Sequence, residues 1–179
     1  MHLSQKELER WVDLGAVSNS EELAHRMTMV GLEVEEIVHV GQGCDDIVVG
    51  RIDAIEEHEK ADKLVICRVD VGDGRLRQIV CGAKNMEAGD YVPVALPGSQ
   101  PPAIDFEIGE RKVLGVHSEG MLCAEEELGL AEKSDGLWIL PRDLELGTPI
   151  FNAMGLVDTH YEIALTPNRP DCLSHMGIA

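Results

Sequence analysis

Lys60, Lys63, Arg68, Arg75, Arg77 and Lys84 fall between positions 60 and 84, where only Asp62, Asp70 and Asp73 oppose them. Across residues 41–148 the ratio reverses, with 11 Lys and Arg against 22 Asp and Glu, so the cationic stretch stands apart from its surroundings. Ammonium and guanidinium groups clustered in this way bind phosphate oxygens, the chemistry that a single-stranded or structured RNA backbone presents. The same residues on a solvated hairpin face, balanced by their aspartates, would serve no ligand; the charges alone leave both readings open. Exposed rings on which bases could stack are scarce. Within the same region only Tyr91, Phe106 and Trp138 are available, and a core would readily absorb all three. Any RNA contact is therefore expected to run through backbone and shape.

The other reactive side chains lack the partners that chemistry needs. Cys81-Gly82-Ala83-Lys84-Asn85 has no histidine nearby to deprotonate the thiol; the nearest upstream is His58. No G-x-S-x-G elbow frames Ser118, and no phosphate-binding glycine loop occurs. Glu125-Glu126-Glu127 read as the solvated face of a short helix, since consecutive helical carboxylates point in different directions. The five cysteines, Cys44, Cys67, Cys81, Cys123 and Cys172, contain no C-x2-C pair for zinc, and their odd number does not suit a disulfide framework. They are expected to be reduced and mostly buried. No residue is a candidate for catalysis or for holding a metal.

The elements that must position the cations are mostly strands. Residues 47–55, 64–71, 75–81, 91–96 and 106–116 each read as extended, with Gly72-Asp73-Gly74 as a hairpin turn. Pro93 predicts an edge or a bulge, and a short helix is expected at residues 124–128. Five short strands in so few residues suit a small closed barrel better than a sandwich. Before them, Ser4-Gln5-Lys6-Glu7 has the form of a capping box opening a helix that carries Leu8, Trp11 and Val12. Residues 18–22 offer caps for a second helix with Leu23, Met27 and Val30 on one face, and Gly31 stops it. A strand then begins near Leu32. Residues 166–171, with two prolines, are expected to be irregular. The chain ends at Gly177-Ile178-Ala179 without a stop signal, which predicts a longer parent sequence.

A length of 179 residues allows one medium domain or two small ones, and 44% apolar residues are enough for a core. A net charge of −18 excludes a global electrostatic grip on nucleic acid or anionic lipid. No apolar run reaches membrane-span length and the N-terminus has no leader pattern, so a cytoplasmic location is expected.

Three stretches, His58-Glu59-Lys60-Ala61-Asp62-Lys63-Leu64, Gln78-Ile79-Val80-Cys81-Gly82-Ala83-Lys84-Asn85 and Val92-Pro93-Val94-Ala95-Leu96-Pro97-Gly98, resemble the tRNA-binding OB-fold domain of several synthetases and free-standing tRNA-binding proteins. Ser118-Glu119-Gly120-Met121-Leu122-Cys123 belongs to the same pattern. The flanks, residues 9–14, 23–34 and 165–179, are similar to the start of the bacterial phenylalanyl-tRNA synthetase β subunit. The resemblance implies an α+β protein dominated by a five-stranded OB-fold β-barrel inserted into a small α/β N-terminal domain. Its divisions would be an N-terminal segment over 1–40, the barrel over 41–148 and a return segment over 149–179. It also implies an accessory part of a cytoplasmic phenylalanine–tRNA ligase of two α and two β chains. That ligase would use ATP and magnesium, with the aminoacylation and editing sites and these cofactors outside this stretch. The implied partners are a phenylalanine tRNA and the α subunit, with no membrane and no DNA. The residues expected to touch tRNA are Lys60, Lys63, Arg68, Arg77, Lys84 and Asn85. Two departures from the family pattern bear on that surface. Glu59 and Lys60 replace a proline and an asparagine, and Glu107, Glu110 and Leu114 lower the charge of the last barrel strand, Leu114 standing where arginine is expected. The alternatives are a barrel that serves as a structural or protein-interaction module, and a free-standing tRNA-binding protein.

Overall fold

The computed structural model describes residues 1–179. In chain order the first half contains β1 (His2–Ser4), α1 (Gln5–Glu9), α2 (Ser20–Met29), β2 (Glu33–Val40), β3 (Ile47–Glu57), β4 (Val65–Asp70) and β5 (Leu76–Cys81). There follow β6 (Tyr91–Ala95), β7 (Arg111–Val113), β8 (Val116–Ser118), β9 (Met121–Leu122), α3 (Ile150–Ala153), β10 (Asp158–Ala164), a 3-10 turn (Pro170–Cys172) and α4 (His175–Ile178). They form two compact units, Met1–Gln42 with Leu156–Ala179, and Gly43–Gly155.

In the first unit three antiparallel strands lie in the order β1–β10–β2. Leu3, Leu8, Leu23, Met27, Tyr161 and Ile163 make its core. The Ser4 hydroxyl accepts the Glu7 N–H at 3.1 Å and so caps α1. The reciprocal half of the expected capping box is missing. Glu7 pairs with Arg10 at 2.8 Å, and the Ser4 N–H is taken instead by His175 Nε2 at 3.0 Å. Asn19 caps α2, and Gly31, at φ +92°, ends it. Leu23 and Met27 are buried as their spacing predicts, whereas Val30 lies past the last helical turn and is exposed. Residues 166–171 are less irregular than expected, because Pro170 starts the 3-10 turn, where its missing N–H costs nothing. Val40 stands opposite Asp158 in the β2–β10 ladder, so the two places where this unit is interrupted lie side by side.

The second unit is the expected five-stranded barrel, antiparallel throughout, in the order β5–β4–β3–β6–β9. Ile52, Cys67, Val69, Ile79, Val92 and Val94 fill it and are wholly buried. Gly50 keeps β3 close to its neighbours, since a Cβ there would stand 2.5 Å from Val94 Cγ2 and 3.0 Å from Val69 Cγ1.

The fifth strand is not residues 106–116. Of these only Arg111–Val113 and Val116, the first residue of β8, are extended, and they pair as a separate two-stranded hairpin. The barrel position goes to β9, just two residues long. The gap beside β5 is filled by the chain between β8 and β9. The Val80 N–H donates to Ser118 Oγ at 3.1 Å, the Gln78 N–H to the Glu119 carboxylate at 3.0 Å, and the Glu119 N–H returns to the Gln78 carbonyl at 2.8 Å.

Pro93 is not on an edge strand, because β6 lies between β3 and β9. Its carbonyl accepts the Cys123 N–H at 3.0 Å. The side of β6 that lacks a donor is therefore the one facing β9, whose ladder pairs only Val94 and Ala95. Residues 124–128 form a single turn and no helix. Glu127 accepts the Ala124 N–H at 2.6 Å, and Gly129, at φ +70°, ends the turn.

Candidate nucleic-acid interface

The six residues expected to touch RNA do not share one surface. Arg68 stands opposite Ala54 and Gln78, on the outer face of the sheet, with Glu56 at 3.9 Å. Arg77 stands opposite Val69, a wholly buried residue, and therefore on the inner face. Its guanidinium donates to Asp73 at 2.7 Å with 13% of the side chain exposed, and its Nε is buried without an acceptor. Asn85 is engaged by the backbone: its Nδ2 donates to the Leu137 carbonyl and its Oδ1 accepts the Leu137 N–H, both at 2.9 Å. Gly136 permits this clamp, because a Cβ there would overlap the Asn85 amide.

The outer face of β3 and β4, and the turn that follows β4, are electrostatically quenched. Arg51 bonds Asp53 and Asp70 at 2.9 and 3.3 Å, and Arg75 bonds Glu119 at 2.9 Å. Gln78 N–H and, with it, Arg75 hold the Glu119 carboxyl below the ordinary glutamate range, outweighing its partial burial.

Apart from Lys133, the barrel cations that enter no ion pair lie elsewhere, on the loop of residues 58–64 and its neighbours. Lys60 and Lys63 are exposed and enter no ion pair. Lys84 donates to the Asp62 carbonyl at 2.9 Å, which fastens residues 82–86 to that loop and leaves its charge unneutralised. His58 organises the loop. Its Nδ1 accepts the Lys60 N–H at 3.1 Å, so Nε2 carries the proton and donates to the Val113 carbonyl at 3.4 Å on the β7–β8 hairpin. The hairpin supplies two cations that the sequence reading passed over, Arg111 and Lys112, both exposed. Arg111 lines a cleft of about 400 Å³ with Leu64, Ala83, Val113 and Ser134, while Lys112 stands on the opposite face beside His117. A second cleft of about 420 Å³ lies across Leu64 and Ala83, lined by His58, Asp62, Lys84 and Met86. Adjacent Arg111 and Lys112 in an otherwise acidic stretch were the signal available in the sequence; the two glutamates before them masked it.

The arrangement offers Lys84 and Arg111 on the two clefts, which Glu57, Asp62, Glu126 and Glu127 also line, with Lys60 and Lys63 on the adjoining loop, as point charges suited to phosphates spaced along a chain. It offers no nucleophile. The five cysteines are free and buried, and burial pushes the thiols of Cys67 and Cys123 up to about 12. Ser118 Oγ is occupied by the Val80 N–H and the Gly120 carbonyl. Glu125 is solvated as expected, but Glu126 accepts the Ser134 N–H at 3.2 Å and Glu127 caps residue 124. No group of three or more His, Cys, Asp or Glu side chains is disposed to hold a metal ion, and no helix is long and apolar enough to cross a membrane.

Residues 47–149 match the family described as "Putative tRNA binding domain". The chain is 51% identical over 159 residues, 89% of its length, to a phenylalanine–tRNA ligase beta subunit of Syntrophotalea carbinolica, and the match covers 20% of that protein. It is 51% identical over 96% of its length to the corresponding protein of Geobacter metallireducens, covering 21% of it. With that of Anaeromyxobacter dehalogenans it shares 48% identity over its whole length, covering 22%. The chain thus spans about a fifth of the length of the curated relatives it matches.

Proposed function

The chain belongs to the family of tRNA-binding domains, and from that premise we propose that its barrel grips the phosphate backbone of tRNA through Lys60, Lys63, Lys84 and Arg111, as an accessory part of a phenylalanine–tRNA ligase. The observation that carries this reading is the sorting of charges. Arginines on the outer sheet face and at the β4–β5 turn are neutralised by carboxylates, whereas Lys60, Lys63, Lys84 and Arg111 enter no ion pair. In a chain of net charge −18, four unpaired cations converging from residues 58–64, 84 and 111 form a local phosphate site rather than a general attraction. Arg68, Arg77 and Asn85 are assigned to the structure of the barrel. The similarity to ligase beta subunits favours a phenylalanine tRNA as the ligand and an α subunit as the companion chain in an α2β2 assembly, in the cytoplasm. The same similarity implies ATP and magnesium for the whole ligase, outside this stretch.

The test is fluorescence anisotropy of a labelled phenylalanine tRNA transcript titrated with this chain. Four phosphate contacts should cost roughly 10- to 100-fold in affinity between 50 and 200 mM salt. Lys63→Glu with Arg111→Glu should abolish most of the binding and flatten the salt dependence, whereas Arg68→Glu should change little. Absence of binding by the unaltered chain at either salt would overturn the reading and leave the quenched outer face as the mark of a barrel that organises protein contacts.

A further inference from the structure

The β7–β8 hairpin turns through Leu114 and Gly115, at φ +47° and +98°. Positive φ at both central positions is the sign pattern of a type I′ turn, whose first position favours Asn, Asp or Gly. Leu114 is the only non-glycine residue in the chain with positive φ. Its side chain gains little shelter in return, being 58% exposed. A branched aliphatic residue forced into the left-handed region and then left in water serves neither the turn nor the core, and strain kept in that way points to a contact outside the molecule.

The surroundings say what kind of contact. Lys60 Nζ lies 3.8 Å from the position a Cβ would take on Gly115, and His58 bonds Val113, the residue before Leu114. Leu114 is thus an apolar tip set directly beside the unpaired cations. An apolar protein surface would not be drawn to that rim, but a nucleic-acid strand would, with its phosphates on the cations and a base face on the apolar tip. We infer that Leu114 is a wedge that lies against the face of an unpaired nucleobase of the bound tRNA, in the manner of the aliphatic wedges that other proteins insert at base steps. The inference rests on the tRNA reading above and adds to it the one contact that carries no charge.

Leu114→Asn separates the two roles, because asparagine suits the turn and lacks the apolar tip. In the 179-residue chain it should raise the melting temperature by a few degrees, weaken the labelled phenylalanine tRNA by about 5-fold and leave the salt slope unchanged. Leu114→Met, which keeps an apolar reach, should bind within about 2-fold of the original. If Lys63→Glu weakens the tRNA while Leu114→Asn binds it as tightly as the original, the wedge is wrong and the phosphate site stands. Equal loss in the Asn and Met variants would also overturn the wedge, since apolarity would then not be the property that matters. If the unaltered chain does not bind tRNA, both fall together.

Discussion

Asn85 holds both the carbonyl and the N–H of Leu137, and with them the segment whose Trp138 N–H donates to the Cys123 carbonyl just after β9 at 3.3 Å. Replacing it by alanine leaves two backbone groups to water or to nothing and should cost about 1–3 kcal/mol. A urea melt would read that loss as a lower midpoint, while the salt slope of tRNA binding should stay as it is. Cys81-Gly82-Ala83-Lys84-Asn85 reads in the sequence as a structural turn without a catalytic partner, and only the resemblance placed Asn85 with the RNA contacts. Its actual partner lies 52 residues further on, a pairing that no local pattern encodes. His58 shows the same limit. Its place in the loop could be read, but not that one nitrogen would order Lys60 and the other would anchor the hairpin.

The strands β3, β4, β5 and β6 were legible because each alternates or runs apolar between turn residues, and Gly72-Asp73-Gly74 forces the β4–β5 hairpin. Residues 106–116 misled because Phe106, Ile108, Leu114 and Val116 share one parity, as on one face of a strand, although Phe106 ends up exposed and most of the run finds no ladder partner. A two-residue β9 is too short to leave a period. What closes the barrel is largely Glu119, through two bonds from Gln78 and Arg75, and this closure should depend on pH. A carboxyl held below its ordinary value of about 4.3 binds its proton less readily folded than unfolded. Its stabilisation is therefore complete above that value and disappears as pH falls through the lowered one. Glu119→Gln should melt below the original chain at pH 7, and thermal melts from pH 7 to pH 3 should show the difference closing at the acid end.

At the scale of the whole chain, the barrel occupies the place of a hairpin turn. β2 and β10 are antiparallel neighbours with Val40 facing Asp158, and the intervening chain both begins and ends its own unit as a pair, Val49 N–H to the Thr148 carbonyl and Gly147 N–H to the Val49 carbonyl, each at 2.9 Å. The change from helical to β-rich patterning near residue 41 was legible in the residues, and the return segment was an implication of the resemblance; the facing ends were not legible, because register across so long an interruption leaves no trace in either strand. This geometry fixes an order of events. In the unfolded chain, joining β2 to β10 means closing a loop of roughly 120 residues, and a folded barrel that already pairs Val49 with Thr148 shortens that loop to about 17 residues, a saving of roughly 2 kcal/mol. The smaller unit should therefore depend on the larger one for its nucleation, and not the reverse. Gly120→Ala, whose Cβ would stand 2.6 Å from the Ala95 carbonyl oxygen, should strip amide-exchange protection from β2 and β10 as well as from the barrel. Tyr161→Ala, which empties the core of the smaller unit, should leave β3 and β6 protected. Equal protection losses in both variants would mean that the two units fold as one; the asymmetry would make the barrel a folding template for the strands that flank it.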